Sequence, residues 1–154
     1  MLICLQSDQS PTVNPGNTPV LFTCTLPEHY NLDTQRRGRW YLGLKEIVLP
    51  STKKGNKWDA LYVCCQGCET SPLGGIYKPI IASLSLGEIK RNNFTRFSPV
   101  HYVPLRVQSL SQLTVEISCT EGEILEELKE NGRGQATKCT FELKWMKDTS
   151  PWRP

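Results

Sequence analysis

The residues best placed to do chemistry in this chain are thiols. Cys64, Cys65 and Cys68 stand in a CC-x-x-C run, a spacing that could contribute to a zinc site or close a local pair. Structural zinc takes four ligands, commonly as two separated cysteine pairs or as pairs completed by histidine. No second pair follows, and the two histidines, His29 and His101, are single and far apart. The three cysteines are thus weak metal candidates, and no metal or cofactor is expected. With no secretion signal, reduced thiols are the expectation. A disulfide within the Cys64–Cys68 turn is the alternative for an oxidising setting. Cys24, Cys119 and Cys139 fall on the apolar phase of strands and read as small buried hydrophobes.

The other candidates for chemistry are thinner still. A serine or cysteine nucleophile needs a nearby base, and neither histidine lies in a nucleophile motif. A cupin-type metal enzyme needs clustered histidines with a carboxylate, which His29 and His101 do not supply. Gly74-Gly75 lacks the Gly-Lys-Ser/Thr ending of a phosphate loop. Glu121, Glu123, Glu126, Glu127 and Glu130 are crowded into one local stretch, whereas glycoside hydrolysis needs two facing carboxylates. Asn93-Phe94-Thr95 is a glycosylation sequon by letter, expected to be silent without a signal peptide. Arg36, Arg37 and Arg39 form the densest basic cluster and read as a solvated turn, with phosphate contact as the sharper alternative. No catalytic residue is identified, and an enzyme is not expected.

What must position these residues is a series of short strands. In Gly38–Leu44, Trp40, Leu42 and Leu44 share one face against Tyr41 and Gly43, the period-two pattern of a strand with one buried side. The phase slips near Glu46, which predicts a bulge. Before it, Val20–Leu26 alternates with Phe22, Cys24 and Leu26 on one side, and a polar turn is expected after Leu26-Pro27. Trp58–Cys65 places Leu61, Val63 and Cys65 opposite Tyr62 and Cys64. Residues 66–77 read as a loop, and Pro79–Leu86 as a strand with Ile80, Ala82, Leu84 and Leu86 in phase. Pro104 makes Val100–Val107 an edge strand or a loop. Gln112–Cys119 and Lys138–Met146 alternate without a break, the mark of antiparallel strands with one wet face. The expected core is Phe22, Trp40, Leu42, Leu44, Val63, Val115, Ile117, Phe141, Leu143 and Trp145. About eight strands without sustained helical periodicity argue an all-β, antiparallel sandwich or jelly roll.

Size and charge set the limits. At 154 residues the chain fits one domain over 1–154, with a short tail from about 147. A hydrophobic content of 38% and a charged content of 21% exclude a disordered chain. No apolar run approaches the roughly 20 residues of a membrane span. The start, MLICLQSDQ, has no charged n-region, so the expectation is an intracellular product. A net charge of +3 is mild, and no basic arm is present, so no specific nucleic-acid partner is expected. Aromatic–basic interleaving for single strands is also missing if Trp40 and Trp145 are core. Trp58 and Trp152 have no such assignment, and Trp152, near the end of the chain, is a candidate anchor on a neighbouring subunit.

Several motifs occur in a recognisable order. L-Q-S-D-Q-S is followed by N-P-G-N-T-P and Phe22, then by G-R-W-Y-L-G-L-K-E-I-V-L-P over 38–50. W-D-A-L-Y-V over 58–63 and P-V-H-Y-V-P-L over 99–105 come next, ahead of the final alternating pair. In this order the chain resembles the penton-type minor capsid proteins of polinton and adintovirus-like double-stranded DNA viruses. The resemblance spans nearly the whole chain. It implies a single eight-stranded jelly roll, a homopentamer at the fivefold vertices of an icosahedral capsid, and contact with the double-jelly-roll major capsid protein. It also implies a virion protein made inside the host cell. Three segments depart from the family pattern: the basic turn over 33–39, the C-x-x-C loop and the acidic segment over 121–135. The rival expectation is a jelly-roll binding module, lectin- or cytokine-like.

Overall fold

The computed structural model describes residues 1–9, 14–32, 38–50, 60–85, 94–119 and 136–147. Among the described residues every strand pairing is antiparallel. The strands are β1 (Leu2–Gln6), β2 (Leu21–Asn31), β3 (Gly38–Val48), β4 (Ala60–Cys65), β5 (Ser71–Leu73), β6 (Ile76–Lys78), β7 (Ile80–Ser85), β8 (Phe94–Arg96), β9 (Tyr102–Pro104), β10 (Ser109–Cys119) and β11 (Lys138–Lys147). One sheet runs β1-β11-β3-β8, with β9 also on β3; a second runs β2-β10-β4-β7; β5 and β6 form a separate hairpin. No described helix is long and apolar enough to cross a membrane.

Alternation explains which side of each strand is buried. Phe141 and Leu143 of β11, Leu42 and Leu44 of β3, Leu113, Val115 and Ile117 of β10, and Leu61 and Val63 of β4 join one buried cluster between the two sheets, with Phe22 of β2. The slip near Glu46 is a bulge: Leu44 pairs with Phe141 and Glu46 with Thr140, so Lys45 is the extra residue. That slip is why Ile47, and not Glu46, returns to the core.

Four expectations need correction. Strand β2 does not stop at Pro27 but runs on to Asn31. It is an edge strand, where a missing N–H costs no ladder bond, and Pro27 lies in a stretch where the register on β10 jumps from Thr25 to Tyr30. In β7 the buried residues are Ile81 and Leu84, because Ile81 is skipped between the pairs Val63–Ala82 and Cys64–Ile80. Residues 66–77 are not all loop, since the Gly74-Gly75 pair, with φ of 57° and 84°, turns the β5–β6 hairpin. With β5, β6 and the short β8 beyond the expected set, the described strands number eleven, not eight.

The fourth concerns the two tryptophans. Trp145, expected in the core, is 36% exposed, and Trp40 is only partly buried against the core. Phase identifies the face of a strand but not how far the opposite sheet extends over it. The two residues pair with each other beyond Leu42 and Leu143, the last fully covered positions of their strands. The Trp145 ring instead lies over Gly38, where a Cβ would come within 2.6 Å of Cε2.

A second glycine does the same on the outer face. Gly43 pairs with Tyr102 on one side and Glu142 on the other. With no side chain between them, the Tyr102 ring crosses Gly43 and its hydroxyl donates to the Glu142 carboxylate. Lys144 Nζ sits 5.3 Å from the centre of the same ring. The hydrogen bond lowers the Glu142 pKa and raises that of Tyr102. Because the folded Glu142 pKa is depressed, its contribution is present above the unfolded pKa and lost as pH falls through the folded value. Tyr102→Phe should therefore move the Glu142 titration, read by carboxyl NMR shifts, up towards the ordinary carboxylate range. An unmoved titration would show that the hydrogen bond is not its main cause.

Candidate functional site

The expected cysteine constellation is split by the strand that carries it. Neighbours on a strand point to opposite faces. Cys65 faces the core with Cys68, whose backbone N–H donates to the Cys65 carbonyl at 3.3 Å across the turn at Gly67. Cys64 faces the outer side, among Lys78, Glu116 and Ser118. The three sulfurs do not converge, and no group of three His, Cys, Asp or Glu among the described residues is placed to hold a metal.

The thiols of Cys24, Cys64, Cys65 and Cys139 are held protonated. The hydrogen bond with Cys68, then burial, push the Cys65 thiol up. Burial, then the neighbouring Cys24, raise Cys139, and burial raises Cys24 against the opposing effect of the Gln6 backbone. Burial, then Glu116, push Cys64 up to about 11 against the opposing effects of Lys78 and Ser118. A protonated, enclosed thiol is a poor nucleophile. Cys119, expected to be buried, is half-buried, and Cys4 is exposed. In the native protein at neutral pH, iodoacetamide should modify Cys4 first and Cys119 slowly. The other five should react only on unfolding, as peptide mass mapping would read. Fast native modification of Cys65 or Cys68 would contradict this placement.

His29 and His101 are both exposed and belong to different parts of the fold, His29 on β2 of the second sheet and His101 just before β9 of the first. Phe94 and Thr95 of the sequon lie on β8. Asn93, Arg36, Arg37, Trp58, Trp152 and the acidic residues Glu121, Glu123, Glu126, Glu127 and Glu130 lie outside the described residues.

What the sequence did not indicate is an open cleft of about 530 Å³ at one end of the sheets. Its floor is Leu32, Trp40, Leu105 and Val107, and its rim carries Arg39, Arg106 and Glu69. Glu69 Oε1 lies 3.2 Å from the Arg39 guanidinium and 3.9 Å from Arg106 Nε. The surrounding backbone is stitched both within each sheet and between them. Arg106 donates to Gly67 at 2.7 Å, Glu69 to Pro104 at 2.9 Å, Leu105 to Trp40 at 2.9 Å and Leu32 to Gln108 at 2.9 Å. Such a cleft binds by apolar contact and charge-assisted hydrogen bonds. Searches against protein-family models and against curated proteins return no match. The functional reading therefore rests on the fold and on this geometry.

The cleft is lined from three separate stretches of sequence, Leu32 with 38–40, Glu69, and 105–108. Backbone bonds from the 66–69 segment to 104–106, and from Leu105 to Trp40 and Leu32 to Gln108, bring them together. The one sequence signal available was Arg39 beside Trp40, a cation next to an aromatic at the start of a strand.

A second polar cluster lies on the outer face of the second sheet. Lys78 donates to Glu116 and, at 3.1 Å, to Ser118 Oγ, while the Ser118 hydroxyl donates to Glu116 at 2.5 Å. Its members satisfy one another, and the adjoining Cys64 thiol is protonated. We assign it to anchoring the β5–β6 hairpin.

Proposed function

We propose that the protein is a structural capsid subunit of penton type: a single jelly roll that forms homopentamers at the fivefold vertices of an icosahedral capsid, beside a double-jelly-roll major capsid protein. The observation that carries this reading is the order of strand pairing. β1 pairs β11, β2 pairs β10, β3 pairs β8 and β9, and β4 pairs β7, nested from the outside in. A long antiparallel hairpin rolled on itself has this nesting, which is the winding of a jelly roll. The β5–β6 hairpin is then an insertion between β4 and β7, and β8 and β9 are two pieces of one interrupted strand. The motif order over 38–50 and 99–105 adds to this support, because Gly43 and Tyr102 of those two motifs pack on each other.

A fivefold ring repeats one head-to-tail contact and needs complementary sides, not an active site. Native mass spectrometry of the purified chain is the test. Five copies of a 17.4 kDa subunit give about 87 kDa. A monomer at every concentration would remove the self-assembling pentamer and favour the second reading, a jelly-roll binding module. The open cleft is the observation on the side of that module.

A further inference from the structure

We infer that the cleft between Trp40 and Arg106 is a docking site for an acidic peptide segment that carries one bulky apolar side chain. Two guanidiniums share one carboxylate at the rim, and both lean on the same oxygen, Glu69 Oε1. The described rim therefore has one cation in excess, and an incoming carboxylate completes a two-by-two arrangement of charges. Both arginines are well exposed, so their forks reach a ligand without being drawn out of the protein.

The floor sets the other half of the ligand. Leu32, Leu105 and Val107 are aliphatic, and Trp40 adds one aromatic surface. About 530 Å³ accommodates a large side chain and its flanking backbone. The stitched backbone fixes this shape in advance, which lowers the ordering cost of binding.

The same features argue against a nucleic acid. Polynucleotide binding draws its affinity from neutralising many phosphates, and Glu69 sits in the middle of this rim. Stacking of successive bases needs a row of aromatic faces, and the floor has one.

The test uses fluorescein-labelled five-residue peptides, Asp-Glu-X-Glu-Asp with X as Trp, Phe, Leu or Ala, and fluorescence anisotropy with the full chain. Binding is expected for the large X residues and weakened about tenfold for Ala. R39Q and R106Q, both at exposed positions, should each weaken binding about tenfold while melting as the parent does. The amide counterparts, Asn-Gln-X-Gln-Asn, should bind no better than the Ala peptide. Any of three outcomes overturns the assignment: no binding by any acidic peptide, equal binding by the amide series, or a labelled oligo-dT binding more tightly with a steep salt dependence. None of these bears on the native mass, so the docking site and the pentamer stand or fall separately.

Discussion

Replacing Phe141 by alanine will cost about 3–5 kcal/mol of folding stability. Phe141 is fully buried at the middle of β11, between Ile3 on β1 and Leu44 on β3. Its strand is the inner partner of both neighbours, so no edge can swing inward to fill the space. The bulge at Lys45 lies directly beside it and fixes the twist of β3 there. A large residue removed from so constrained a place loses its transfer energy and leaves a cavity. Trp40→Ala should cost less, although the indole is larger, because Trp40 is only partly buried at the cleft. Urea denaturation of the two variants would rank them. A larger loss for Trp40→Ala would place the centre of the core at the cleft end.

The contrast between these residues also shows what a sequence can and cannot reveal here. Unbroken alternation in 112–119 and 138–146 encodes which face is wet, since side chains on a strand alternate strictly. The slip at Glu46 encodes the bulge for the same reason. Phase carries no information on where an opposing sheet ends, so Trp145 read the same as Phe141. Ile81, and not the in-phase Ile80 and Ala82, is buried because a bulge in β7 reverses the phase within a six-residue strand. The β5–β6 hairpin had a local signal, adjacent glycines able to take positive φ, but its strands are three residues long and have almost no periodicity to detect. The cleft had still less. Its walls come from the 66–69 crossing and the 105–108 segment, and their meeting depends on long-range backbone bonds that no local pattern encodes.

The hairpin also explains the second large effect expected. Glu116→Ala should cost about 1–3 kcal/mol, well above an ordinary surface ion pair. Glu116 lies on β10, a central strand, and its partner Lys78 is the last residue of β6, so the pair ties the hairpin to the sheet. The two side chains are 15% and 23% exposed for lysine and glutamate respectively. Removing the carboxylate leaves a largely enclosed ammonium with Ser118 as its remaining hydrogen-bond partner among the described residues, and it is that uncompensated charge that destabilises. Taking away both charges avoids this penalty. The double variant Lys78→Met with Glu116→Leu should recover much of the loss, giving a coupling energy in a double-mutant cycle of about 0.5–3 kcal/mol. Salt should weaken the effect only slightly, since enclosed pairs are screened less than exposed ones. Losses that simply add would mean that the two charges do not depend on each other, and the hairpin would then be held by packing alone.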